Sequence, residues 1–178
     1  MIIAISGLTG SGKNTLGEQL AEELGYKLVC PTFKDLAKRE GIPLMEFQKR
    51  AEKDPEIDKK FDAALREQAK NGSCVVTTWL GPWIVKNADL KIHVFAPLQV
   101  RAERVAKRDG MAIAQAKKHI IERDEENRKR YQKVYGIDIY DTSGFDLCLS
   151  SAKLSKEQMR DIALSAVKIK SGAPINRK

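Results

Sequence analysis

At 178 residues, with 42% hydrophobic and 31% charged side chains, the chain can bury a core of its own, which excludes a disordered or fibrous polypeptide. Thirty-two Lys and Arg against 24 Asp and Glu leave a formal charge of +8 and point to polyanionic partners, while an aromatic content of 6% argues against a broad base-stacking surface of the single-strand-binding kind. No apolar run approaches a membrane span, and residues 1–5 are too short for a secretory leader, so a cytoplasmic protein is expected.

Residues 2–6 are a short apolar run that reads as a buried strand, followed by a glycine-rich loop over 7–12. Leu16, Leu20 and Leu24 recur at four-residue spacing, which predicts a helix over 14–25 ended by Gly25. A second strand is expected at 27–30. Thr32 caps a helix to Glu40 that Gly41 stops. Pro43 opens another, ending near Lys53. Asp54-Pro55 starts a third, which reaches about Lys70 and closes at Asn71-Gly72. The third strand is expected over 73–78, then an irregular loop over 79–83, and the fourth strand over 90–96. Pro97 begins a helix to about Arg108, Asp109-Gly110 breaks it, and 112–135 is a long basic helix. Residues 101–133 hold eleven basic against six acidic side chains. A loop over 136–144 leads to a fifth strand at 145–150 and a last helix at 155–170 with Ser155 as cap; 171–178 reads as a frayed tail.

Strands alternating with helices require crossover connections. The expected fold is α/β: a central five-stranded parallel sheet flanked by helices, in one domain. Its core would be 1–31, 72–108 and 136–170, with mobile appendages at 32–71 and 109–135. Cys30, Cys74 and Cys148 are odd in number and lie in strand-like runs, so they read as buried free thiols of a reducing compartment. With His93 and His119 as the two histidines, no Cys/His zinc site can be assembled.

Gly7-Leu8-Thr9-Gly10-Ser11-Gly12-Lys13 lies between a strand and a helix, and that context gives the pattern a mechanism. Glycines let successive N–H groups point into one concavity, and the following helix aims its N-terminal dipole there. Lys13 adds a positive charge for β- and γ-phosphates. The pattern carries Ser or Thr after the lysine, to ligate Mg²⁺. Here Asn14 and then Thr15 follow, so an amide oxygen or a hydroxyl in shifted register would take that place. No carboxylate lies between Glu67 and Asp89, so none is available at the end of the third strand. Thr77 and Thr78 are either β-branched strand residues or partners of cation-bound water. Trp79 and Trp83 either pack or wall an acceptor pocket.

These residues resemble a family, the archaeal-type cytidylate kinases within the nucleoside monophosphate kinases, over nearly the whole chain. The likeness rests on the loop 7–13; on Phe33-Lys34-Asp35-Leu36-Ala37-Lys38-Arg39-Glu40-Gly41; on residues 51–58, 88–92 and 100–104; and on Arg130-Tyr131 through Tyr135-Gly136-Ile137-Asp138-Ile139. The resemblance implies a P-loop kinase fold with an acceptor-nucleotide segment (32–71) and an arginine-bearing lid (109–135). It also implies ATP and Mg²⁺ as cofactors, and transfer to CMP or dCMP. Gly7, Thr9, Gly10, Ser11, Gly12, Lys13, Asn14 and Thr15 would bind ATP, with Asn14 and Thr15 near the metal. Thr32, Lys34, Lys38, Asp58, Thr78 and Trp79 would meet the acceptor. The sequence departs from the pattern in three places: Lys34 stands where relatives carry an arginine, residues 78–82 lack an arginine, and Asn14 replaces the hydroxyl residue.

Transfer to a phosphate oxygen needs no general base, because the acceptor is already anionic; catalysis is positioning and charge neutralisation. Lys13, Arg104, Arg108, Arg123 and Arg130 are the catalytic candidates, with Asp109-Gly110 as the hinge of a closing lid. Seen instead as a solvated helix, the same stretch would hold weak pairs such as Glu126–Arg130. Asp54 reads as a helix cap. The expected partners are small-molecule nucleotides, with nucleic acid disfavoured and no membrane, in a monomer or small homo-oligomer. The competing readings are a P-loop ATPase acting in RNA or ribosome assembly, a nucleotide-binding module with degraded catalysis, and a kinase with another acceptor.

Overall fold

The computed structural model describes residues 1–70 and 72–172. Five strands, β1 (Ile2–Ser6), β2 (Lys27–Val29), β3 (Cys74–Thr77), β4 (Leu90–Phe95) and β5 (Leu147–Ser150), form one parallel sheet in the order β2-β3-β1-β4-β5. Every residue of β1 is buried, as a central strand covered on both faces must be. Its neighbours are in register at Ile5↔Thr77 and Ile5↔Ile92, so the chain leaves the sheet for the glycine-rich loop beside the ends of β3 and β4.

One face of the sheet packs Ile3, Ile5, Val75, Ile92 and Val94 against Leu16 and Leu20 of α1 (Lys13–Leu24) and Met159, Ala163 and Val167 of α8 (Lys156–Lys170). The other packs Ile2, Ala4, Val29 and Val76 against Leu65 and Ala69 of α4 (Pro55–Ala69), Leu80 and Ile84, Tyr131 and Ile139. Residues 32–71 hold α2 (Phe33–Glu40), α3 (Leu44–Lys53) and α4, so the last of these is anchored in the core. α6 (Leu98–Asp109) and α7 (Ile113–Tyr135) form a hairpin with its own small core of Ala102, Val105, Ala106, Ala116 and Ile120. The reversal between them rests on Gly110, which caps α6 in the left-handed region at φ 67°.

The expected caps are present. Thr32 accepts from the Asp35 N–H, Asp54 from Glu56 with Pro55 behind it, and Ser155 from Gln158. Two expectations change. The loop over 79–83 becomes a short helix, α5 (Gly81–Ile84), because buried Leu80 and Ile84 pull it onto the sheet. Of the three free thiols Cys74 alone is fully buried: Cys30 lies half-buried just past β2, and Cys148 is exposed because β5 is an edge strand whose second face α8 does not cover. Asn71 and the tail beyond Gly172 lie outside the described residues.

Candidate active site

The loop over 7–12 is shaped by close packing on its outer side. A Cβ on Gly7 would stand 2.3 Å from the Val94 carbonyl, and one on Gly10 3.0 Å from the Arg101 carbonyl. Gly10 and Gly12 also take φ values of 77° and 95°, where other residues are strained. Three carbonyls of the loop are held from behind. Thr9 O accepts from Arg101 Nη1 at 3.0 Å, while Gly10 O and Ser11 O face Arg104 Nη1 at 3.4 Å. Ser11 O also accepts from Ser151 Oγ at 2.7 Å. In a planar trans peptide the N–H points opposite to the C=O. Tying these carbonyls outward therefore turns N–H groups of the loop inward, where the unpaired first-turn N–H groups of α1 converge with them.

Lys13 opens α1 and carries its ammonium over the Trp79 ring, 5.8 Å from the centroid. Burial, and after it the nearby positive charge of Arg123, lower its pKa to about 8. Such a lysine is short of negative charge, which a phosphate chain would supply.

On one side of Lys13 lies a cavity of about 600 Å³. The loop and Arg104, Arg108, Ser151, Leu154, Lys156 and Met159 line it. Arg104 Nη2 donates to Ser151 O at 2.7 Å, and Arg108 is held by the Asp109 carboxylate through two bonds of 2.7 Å. On the other side, contacts run from Trp79 to Tyr131 (centroids 6.4 Å apart), from Tyr131 to Arg130, and from Arg130 to Phe33 (5.1 Å) and Asp58 (3.6 Å). Arg130 thus pairs with Asp58 of α4 rather than with Glu126, because its side chain turns inward between two rings. Asp58 Oδ2 and Arg130 Nε are buried with no hydrogen-bond partner. Burial pushes the Asp58 carboxyl up, against the opposing pull of Arg130. Next to them Tyr135 donates its hydroxyl to Asp62, whose carboxyl burial raises to about 6.

The remaining expected site residues are dispersed. Thr32 is engaged as the cap of α2, with its hydroxyl donating to Asp35 Oδ2 at 2.7 Å, and Lys38 is exposed on the same helix. The Lys34 side chain lies outside the described residues. Thr78 is buried, and Trp79 is fixed by a bond from Ser6 Oγ to its carbonyl at 2.6 Å. For a divalent cation the structure offers oxygen donors: the Asn14 and Thr15 side chains at the start of α1, and the buried Thr77 and Thr78 hydroxyls, which lack hydrogen-bond partners. Among the described residues no group of three or more His, Cys, Asp or Glu is placed to hold a metal ion. Hard oxygen ligands without a carboxylate cage fit Mg²⁺ held chiefly by nucleotide phosphates and water.

The family model described as the cytidylate kinase-like family matches residues 2–153. The chain belongs to that family. Cytidylate kinase of Pyrococcus horikoshii is 47% identical over 169 residues, covering 94% of this chain and 88% of its own. Cytidylate kinase of Pyrobaculum aerophilum is 44% identical over 167 residues, covering 92% and 91%. Among solved structures, shikimate kinase from Acinetobacter baumannii in complex with shikimate aligns with a TM-score of 0.59 at 15% identity, covering 96% of this chain and 93% of that one. Deoxyadenosine kinase from M. mycoides, with products dCMP and dCDP bound, aligns at 0.55 and 17%, covering 95% and 100%. At such identities the structural likeness speaks for the P-loop kinase fold alone. No helix among the described residues is long and apolar enough to cross a membrane.

Asp62, Asp124 and Ser151 were not singled out in the sequence, and Arg101, Tyr131 and Tyr135 stood there within motif stretches without a role of their own. Their partners in the site lie 23 to 140 residues away along the chain, and no local spacing marks them.

Proposed function

We propose that this cytidylate kinase-like chain transfers the γ-phosphoryl group of ATP to CMP or dCMP. The observation that carries this reading is Lys13 standing between an open cavity and a buried carboxylate–guanidinium pair. The donor nucleoside fits the cavity beside Val105, Leu154 and Met159, with its phosphates running back into the loop. The acceptor base fits against Phe33, where Asp58 can accept from the cytosine amino group and Arg130 can donate to the ring nitrogen or carbonyl. Uracil presents a carbonyl where cytosine presents the amine, and a carboxylate repels it.

The step is a displacement at phosphorus. A phosphate oxygen of the acceptor forms the new P–O bond, the bond between the γ-phosphorus and the β–γ bridging oxygen breaks, and ADP leaves with that electron pair. Lys13 and Arg123 neutralise the moving charge, and the loop N–H groups hold the β-phosphate. Asn14 and Thr15 would hold Mg²⁺, which would supply positive charge against the phosphates. Residues 32–71 act as the acceptor segment and 109–135 as the lid, and the family resemblance assigns Lys34 to the acceptor phosphate. Arg104 and Arg108 line the donor side and Arg130 the acceptor side.

The test is ADP formation from Mg-ATP across CMP, dCMP, UMP, AMP, GMP and dTMP, with acceptor-free and RNA-supplemented controls. Turnover confined to CMP or dCMP is expected, and Lys13→Ala should abolish it. Turnover only with RNA or without acceptor, and none with any monophosphate, overturns the proposal.

A further inference from the structure

The pair formed by Arg101 and Asp124 has no part in the chemistry above, yet it ties α6 and α7 to the phosphate loop. Arg101, on α6, is 7% exposed, and Asp124, on α7, is 4% exposed. A single nitrogen, Arg101 Nη1, donates both to Asp124 Oδ2 at 2.6 Å and to the Thr9 carbonyl at 3.0 Å. The Arg101 carbonyl and Cβ also leave no room for a side chain at Gly10.

A pair kept for stability alone would satisfy its remaining atoms, since buried polar atoms without partners cost free energy. Here Arg101 Nε and Asp124 Oδ1 are both buried with no hydrogen-bond partner. What the geometry does achieve is position. Fixing the Thr9 carbonyl fixes the Thr9–Gly10 peptide and so aims the Gly10 N–H into the concavity. Asp124 follows Arg123 on α7, and holding one residue of a helix to the loop sets the place of the next. The charges of both Arg123 and Asp124 are felt at Lys13.

We infer that Asp124, acting through Arg101, is a positioning residue that locks the phosphate loop and the Arg123-bearing helix into the geometry of phosphoryl transfer. This rests on the transfer reading above. Asp124 touches no substrate. It acts on the transition state more than on the bound nucleotide, because misplacing a charge by about 1 Å costs about a hundredfold in rate while leaving most binding contacts in place.

Two readouts test it on the full chain. In Asp124→Asn, which keeps shape and hydrogen bonding but loses the charge, kcat should fall about tenfold to a hundredfold, with Mg-ADP affinity within about threefold of wild type. Affinity for Mg-ADP with aluminium fluoride, a mimic of the transferring phosphoryl group, should fall in step with kcat. The double variant Arg101→Met/Asp124→Leu removes both buried charges and controls for folding. It should regain thermal stability lost in Asp124→Asn without regaining kcat or the affinity for the mimic. Wild-type kcat in folded Asp124→Asn, or recovery of kcat in the double variant, would make the pair merely structural and overturn the inference. A wild-type protein that binds Mg-ADP but phosphorylates no monophosphate sinks the acceptor reading alone. The mimic affinities then decide this inference, and unchanged affinity in Asp124→Asn overturns it.

Discussion

The ammonium of Lys13 stands over the indole of Trp79, 5.8 Å from the ring centroid, where the carboxyl ends of β1 and β3 meet. The pairing gives the ammonium a diffuse partner in place of an anion. Burial and the Arg123 charge leave its pKa near 8, well under the usual 10.5.

That depression makes nucleotide binding dependent on pH. In the free protein Lys13 loses its proton as pH passes about 8, and bound phosphates restore the proton by favouring the charged form. Binding of Mg-ADP therefore takes up a proton above this pH, and affinity falls as pH rises, by at most about tenfold per unit. Lys13→Arg, which does not titrate in this range, should show a flat profile. Titration calorimetry in buffers of different ionisation enthalpy reads the proton directly. Equal affinity for the wild type at pH 7 and pH 9.5 would refute the account.

Gly17 is set against β3 so closely that a Cβ there would stand 2.0 Å from Thr77 Cγ2. In an open helix Gly→Ala stabilises by up to about 1 kcal/mol. Here overpacking, at about 1–3 kcal/mol, outweighs that gain. Gly17→Ala should lower the thermal midpoint, and Gly17→Ala/Thr77→Ser, which removes the colliding methyl, should recover most of it. Loss of stability that the second change leaves untouched would place the fault elsewhere.

The phosphate loop was legible in the sequence because its glycines, its lysine and the flanking strand and helix are contiguous, and each glycine answers a local need for space or for positive φ. The sheet was legible for a similar reason, since buried parallel strands are short apolar runs bounded by helices. The partners that hold the loop were not. Arg101 and Ser151 reach Thr9 and Ser11 across 92 and 140 residues, and such contacts leave no periodic trace. Asp124 sits among eleven basic neighbours and looks like a surface acid until the fold buries it. Cys148 misled in the other direction, because a strand's place at the sheet edge is a property of topology rather than of its own residues.

The acceptor reading turns on Asp58 and Arg130. Arg130→Lys keeps the charge but loses the planar contact with Phe33, 5.1 Å away, and the fork of donors. The KM for CMP should rise about tenfold or more while Mg-ADP affinity stays within about twofold. Asp58→Asn exposes an amide donor in place of an obligate acceptor, so the ratio of kcat/KM for CMP to that for UMP should fall by about tenfold or more. An unchanged ratio would mean that Asp58 does not read the base.

Asp62 offers a test on stability rather than on rate. Its carboxyl is raised from 3.8 to about 6, chiefly by burial, with the bond from Tyr135 opposing. A carboxyl that holds its proton more tightly in the folded chain than in the unfolded one makes the folded state bind more protons between pH 4 and 6. Stability then falls as pH rises through that window. Above pH 6 the wild type carries a buried carboxylate that it does not carry at pH 4, with Asp58 close enough to add repulsion. Asp62→Asn still accepts from the Tyr135 hydroxyl and never ionises. It should therefore gain stability over the wild type at pH 7.5 and lose that advantage by pH 4, as read by urea midpoints at the two pH values. An advantage that stays constant with pH, or grows on acidification, would show that folding does not raise the Asp62 pKa.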